Sequence, residues 1–118
     1  MATVVVVDVD GSARRCDLVD TRIGLEFLQG CVGGWVEVVA VTSGLDMWCN
    51  EEGRLVGLPV NRVASRLLQA FGAGQLYVGP VVFTGGTDRH GCTLGLDESQ
   101  AAMLLSVATD LSDGRMQQ

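Results

Sequence analysis

Apolar residues in this chain form short valine-rich runs, such as residues 4–7 and 38–41, that are long enough for a β-strand only. A membrane-spanning helix needs roughly twenty consecutive apolar residues, so these runs predict buried strands and no bilayer span. With 47% hydrophobic and 19% charged residues, the chain has the composition of a packed globular protein. We predict one domain over residues 1–111 and a flexible tail over 112–118.

Turn residues divide the chain into strands. Asp10-Gly11, typical of a two-residue hairpin turn, joins the first two predicted strands. The third has Glu37 as its only charge and is expected at the centre of the sheet. Pro80 interrupts the fifth and favours an edge position for it. The predicted strands cover residues 3–9, 12–18, 35–41, 45–49 and 75–84.

Helical spacing of apolar residues follows position 21, position 61 and position 97. Asn61 is a suitable cap for a helix over 62–71, and Asp97, three residues before Gln100, predicts another helix start. We therefore expect an α+β fold, with a mainly antiparallel mixed sheet of about five strands and two or three helices packed on one face. The other face would then need cover, which predicts self-association as a dimer.

The charge balance limits the classes of partner. A net charge of −6 disfavours nucleic acid, because phosphate binding needs a clustered basic surface. No basic residue precedes the first valines, so we expect no secretory signal and a cytoplasmic location. In that compartment the four cysteines are expected to be reduced thiols. They stand at Cys16, Cys31, Cys49 and Cys92.

Four segments in a fixed order carry a resemblance: GGWVEVV at 33–39, CNEEGRL at 49–55, GLPVNR at 57–62 and GPVV at 79–82. With this pattern the chain, from about residue 4 to 96, resembles a family of small proteins catalogued as a domain of unknown function and carried by phages and plasmids. The resemblance implies a mobile-element origin, a phage of a GC-rich actinobacterial host, and expression in the host cytoplasm. It implies no reaction.

Two candidate binding segments lie within that pattern. Asn50, Glu51 and Glu52 form a polar turn that can recognise a basic partner or bind a cation, but one turn rarely supplies the six or more oxygens that calcium requires. The simpler interpretation is a solvated hairpin turn, with Gly53 at a positive φ. Asn61 and Arg62 can present an amide and a guanidinium to an anion at a helix start, although a helix cap explains Asn61 without a ligand.

A third candidate is the polar loop containing Asp88, Arg89 and His90. His90 and Cys92 suggest a zinc site or a base–nucleophile pair, but the chain has a single histidine and no Cys-x-x-Cys spacing. We therefore predict no catalytic residue, no metal site and no cofactor.

Three hypotheses for function remain open. The first is a non-enzymatic phage accessory protein that binds a bacterial host protein, in host takeover or anti-defence. The second is a binder of a nucleotide or other small anion, or an enzyme acting on one, that uses the Asn61-Arg62 and Asp88–His90 region. The third is a dimeric structural module of a phage assembly.

Overall fold

The computed structural model describes residues 1–112 and has an α+β fold, as predicted. Five strands form one sheet in the order β2-β1-β5-β4-β3, and every neighbouring pair is antiparallel. Three helices complete the fold. The strands are β1 Ala2–Val7, β2 Ala13–Leu18, β3 Val36–Thr42, β4 Leu45–Asn50 and β5 Val81–Gly85, and the helices are α1 Leu25–Val32, α2 Arg62–Ala70 and α3 Glu98–Ser112.

Helices cover both faces of the sheet. Along β1, Val5 and Val7 belong to the apolar cluster that contains α2 and α3, whereas Val4 and Val6 belong to the cluster that contains α1. The prediction that the helices pack on one face is wrong in this respect. Consecutive valines place apolar side chains on alternate faces of a strand, so both faces need a helix.

The positions of β3 and β5 in the sheet are the reverse of those predicted. β5 is the central strand, and Pro80 is compatible with this position because it lies just before Val81, so its missing N–H is not required in the ladder. β3 is an edge strand, although its four valines suggested the centre. Residues 51–57 form a turn that follows β4.

The starts of α2 and α3 agree with the sequence prediction, whereas α1 begins at Leu25, later than position 21, from which helical spacing was expected. Asn61 caps α2, and at α3 the Asp97 carboxylate accepts from the Gln100 N–H at 2.7 Å while the Gln100 side chain accepts from the Asp97 N–H at 3.0 Å. This reciprocal pair satisfies two donors that the first turn of a helix leaves free.

All four cysteines are free thiols. Among residues 1–112, no helix combines the length and the apolar character that a bilayer crossing requires. The predicted tail lies outside the described residues except for Ser112, which is the last residue of α3.

Candidate functional site

Asn61 is a structural residue at the centre of the predicted site. Its side chain is fully buried, and its NH2 group donates to the carbonyl oxygens of Val7 at 3.0 Å and Gly79 at 2.9 Å. Its Oδ1 accepts from the Ala64 N–H at 3.1 Å. Because every polar atom of the amide is paired within the fold, Asn61 is not available to a ligand.

Ser65 continues this network and was not anticipated from the sequence. Its buried hydroxyl donates to the Asn61 carbonyl oxygen and accepts from the Tyr77 N–H, both at 2.8 Å. The Asn61 N–H in turn donates to the Tyr77 carbonyl oxygen at 2.8 Å. These bonds hold the segment 75–78 against the start of α2. The sequence feature that could have identified Ser65 is the presence of a serine among the apolar positions of the amphipathic helix α2.

The side chain of Asn50 is also hydrogen-bonded to backbone groups. Its NH2 group donates to the Val32 carbonyl oxygen at 3.2 Å, and its Oδ1 accepts from the Glu52 N–H at 2.8 Å. Gly53 does not adopt the positive φ expected of it; its role is close approach, since a Cβ there would lie 2.8 Å from Cγ2 of Val78. The turn is therefore packed against segment 75–78, and Glu51 and Glu52 remain exposed.

Two cavities lie on either side of Leu76. The first, the turn cavity, has a volume of about 250 Å³ and is lined by Glu37, Glu51 and Leu55 among others. The second, the α2 cavity, has a volume of about 400 Å³ and is lined by Val60, Arg62, Ser65, Arg66, Gln69 and Leu76. Leu76 lines both cavities, so Asn50 and Glu51 of one predicted segment and Arg62 of the other border one continuous surface.

Exposed apolar side chains form the ridge of this surface. Leu55 is 84% exposed, Leu76 52% and Val60 41%. We call these three residues and the two cavities the Leu76 surface. Two carboxylates, Glu37 and Glu51, and one guanidinium, Arg54, border it on the turn side, whereas two guanidinium groups border it on the α2 side, so the turn side is the more negative of the two. Arg54 of the turn donates to the Leu76 carbonyl oxygen, which fixes the turn to the ridge.

Cys49 lines the turn cavity but is not an activated nucleophile. Its thiol is buried and contacts the Glu37 carbonyl oxygen at 3.7 Å. Burial, together with the charge of Glu37, raises the pKa of Cys49 to about 11, so the thiolate is scarce at neutral pH.

The loop of Asp88, Arg89 and His90 lies at the opposite end of the sheet. β5 runs from the Gly79 end, where Asn61 binds, to Gly85, where this loop begins. The Asp88 carboxylate accepts from the backbone N–H groups of His90 at 2.8 Å and Cys92 at 2.9 Å, so it shapes the loop itself. The expectation that Asn61-Arg62 and Asp88–His90 form one anion site is therefore wrong, because the length of a strand separates them.

Near this loop, a cavity of about 280 Å³ between α1 and residues 91–93 has Trp48 in its wall. The Trp48 indole N–H donates to the Thr84 hydroxyl at 2.9 Å, so its polar atom is already paired. No motif in the sequence indicated this cavity. No group of three or more His, Cys, Asp or Glu side chains within residues 1–112 is placed to hold a metal ion.

The predicted motifs all lie within a segment that matches a protein family. A family described as Domain of unknown function (DUF3846) matches residues 1–109. The chain belongs to this family. No curated protein and no solved structure matches it. The predicted resemblance to an uncharacterised family is thereby confirmed, and the DUF3846 match includes every residue of both cavities and of the Asp88–His90 loop.

Proposed function

We propose that this DUF3846 domain is a non-enzymatic interaction module that binds a partner protein at the Leu76 surface. The observation that supports the proposal is that three exposed apolar side chains line two cavities that share Leu76: Leu55 lines the turn cavity, Val60 lines the α2 cavity and Leu76 lines both. Contiguous apolar surface bordered by polar residues is characteristic of interaction sites, whereas single exposed apolar residues are common everywhere.

The difference in charge between its two sides gives the surface an orientation. Glu37 and Glu51 line the turn cavity together with Arg54, which is bonded to the Leu76 carbonyl oxygen, and Arg62 and Arg66 line the α2 cavity. A partner that places apolar side chains over Leu76, with a basic group on the turn side and an acidic group on the α2 side, would match both. Complementary charges at an interface select the partner and its orientation more than they increase the affinity.

The polar side chains beneath the surface support binding over catalysis. Asn61 and Ser65 are occupied by backbone bonds, and burial keeps the Cys49 thiol protonated. The partner that we propose is a protein of the bacterial cytoplasm in which a phage or plasmid expresses this domain. The resemblance of the GGWVEVV, CNEEGRL and GLPVNR segments to proteins of mobile elements supports this assignment.

Affinity purification with two matched variants tests the proposal. A protein retained by the wild-type domain should be lost with Leu55→Ser/Leu76→Ser and kept with Val19→Ser, because Val19 is 92% exposed and lies away from both cavities. With the purified pair, the double variant should weaken binding by about tenfold or more, as expected for apolar residues at the centre of an interface. Full retention by a folded double variant would contradict the proposal.

A second candidate function rests on the α2 cavity alone. Arg62 and Arg66 both line a space of about 400 Å³, which suits a phosphate-bearing small molecule. A ligand that binds only the folded state raises the melting temperature. A thermal-shift screen with nucleotides and inorganic phosphate should therefore show stabilisation that Arg62→Gln/Arg66→Gln abolishes. An absence of stabilisation by every compound would reject this second function and leave the first untouched.

A further inference from the structure

We infer that two copies of this chain associate through the free edge of β3, antiparallel, with Val38 opposite Val38 of the partner subunit. The inference does not depend on the Leu76 surface. β3 has β4 on one side, and on its other side no strand among residues 1–112 pairs with it. It is seven residues long and contains four valines and one charge, Glu37.

The direction of its backbone groups follows from one bond. The Glu51 N–H donates to the Trp35 carbonyl oxygen at 2.8 Å, so Trp35 faces β4. Because alternate residues of an antiparallel strand face the same neighbour, Glu37 and Val39 also face β4. Val36, Val38 and Ala40 therefore direct their N–H and C=O groups away from the sheet. No backbone bond within the described chain uses these groups.

The opposite edge of the sheet, β2, is better protected than β3 against pairing with another strand. β2 carries Arg14, Arg15 and Asp17, and Arg15 binds both Asp17 at 2.9 Å and Glu98 of α3 at 2.7 Å. Charged side chains and a neighbouring helix are common means of preventing strand pairing at an edge. β3 carries one charged side chain, Glu37, against three on β2, so it is the edge more open to another strand.

Only one two-fold symmetric register pairs all of the outward-facing backbone N–H and C=O groups of β3. With Val38 at the two-fold axis, Val36 lies opposite Ala40 of the partner subunit, and every outward N–H and C=O from Val36 to Ala40 is paired. Centring on Glu37 would oppose two carboxylates, which is unfavourable. Centring on Val39 would place Val36 beyond the irregularity between Ala40 and Thr42, where regular pairing ends.

The side chains fit the same register. On the α1 face, Val38 is 49% exposed and would be covered by its symmetry mate, while the small Ala40 leaves room for Val36. On the α2 face, Glu37 would lie beside Val39 of the partner subunit and only diagonal to the other Glu37. The edge is thus complementary to itself, which identifies the occupant as a second copy in a two-fold dimer, the commonest symmetric assembly.

Sedimentation equilibrium and a cysteine scan test the inference. Wild type should sediment as a dimer at roughly 100 μM, whereas Val38→Lys should be a folded monomer and Val19→Lys should stay dimeric. In a Cys92→Ser background under mild oxidation, Val38→Cys should cross-link to itself, because opposed Cα atoms about 5.5 Å apart allow a disulfide. Ala40→Cys, which faces Val36 of the partner subunit, should not.

Two results would overturn the inference. One is a wild-type protein that is monomeric at that concentration, and the other is equal cross-linking of Val38→Cys and Ala40→Cys. The Leu55→Ser/Leu76→Ser variant separates this inference from the proposed function. It should remain a dimer while losing the partner protein, so either idea can fail without the other.

Discussion

The side-chain amide of Asn61 donates to the carbonyl oxygen of Val7 at 3.0 Å, and so joins the start of α2 to the end of β1. The same NH2 group reaches Gly79, just before β5, and the Oδ1 caps α2 at Ala64. One buried side chain thus satisfies backbone groups of three elements. The Leu76 surface is held in place by this connection, because the segment after α2 is bonded to Asn61 and Ser65.

Asn61→Ala should destabilise the domain strongly. The substitution removes the helix cap, worth about 1 kcal/mol, and leaves buried carbonyl groups unpaired at about 1–3 kcal/mol each. We expect a loss of roughly 3 kcal/mol or more in the free energy of unfolding, measured by urea denaturation. Asn50→Ala, which alters a half-buried turn, is the matched control and should cost less. A loss for Asn61→Ala no larger than that of a cap alone would contradict this role.

Cys49 and Cys92 should differ sharply in reactivity toward iodoacetamide at pH 8. Cys92 is exposed, whereas Cys49 is buried with its pKa raised to about 11, so its thiolate is rare in the folded state. Mass spectrometry should show alkylation of Cys92 well before Cys49, and this difference should disappear in urea. Equal labelling rates in the native protein would show that the turn cavity opens readily.

Asp46→Asn should stabilise the domain at pH 7. Asp46 is 8% exposed, and burial raises the pKa of its carboxyl above the usual 3.8 because the charged form is disfavoured. At neutral pH the charge opposes folding, and this penalty disappears as the pH falls through the raised pKa. The Tm of the variant should exceed that of wild type at pH 7 and converge with it near pH 3.

Asp10→Asn provides the opposite case for comparison. Hydrogen bonds from Ser12 lower the pKa of Asp10, so its charged form favours folding. The substitution should lower the Tm at pH 7 and lose its effect as the pH falls through that lowered pKa. The same direction of change for both aspartates at pH 7 would contradict the burial argument for Asp46.

Glu98→Gln should lower the free energy of unfolding at neutral pH and low salt. At acidic pH or at high salt the substitution should have little effect. Arg15 donates to both oxygens of Glu98, at 2.7 and 2.8 Å, and this contact lowers the pKa of Glu98 below its usual 4.5. The stabilisation is present above pH 4.5 and is lost as the pH falls through the lowered pKa. Because the pair is exposed, roughly 1 M salt should also remove most of it. Glu52→Gln is the control, because Glu52 makes no ion pair with any residue between 1 and 112.

Local sequence signals predicted the starts of α2 and α3 well, because caps act over three residues, whereas α1 has no side-chain cap and begins later than expected. Asn61 and the Asp97–Gln100 pair lie where cap chemistry places them. Strand order was harder, since it depends on contacts between distant segments. The four valines of β3 do not reveal that its outer neighbour is missing, and Pro80 does not reveal that regular pairing begins one residue later.

The candidate site was only partly accessible to sequence reasoning. Glu51 and Arg62 were singled out separately, and folding brings them to one surface through Leu76, which no motif indicated. His90 was grouped with Arg62 because both stand in polar segments, but the direction of β5 separates them. Exposure of an apolar side chain such as Leu55 is a tertiary property that cannot be read from residue type.

The placement of helices on both faces of the sheet also affects how the domain opens. β5 has a paired strand on each side and a separate apolar cluster above and below. No local fluctuation of a single helix can expose its amide hydrogens to solvent, so they should exchange with deuterium only when the whole domain unfolds. Deuterium uptake along β5 therefore reports global unfolding, whereas uptake at the free edge of β3 reports local events.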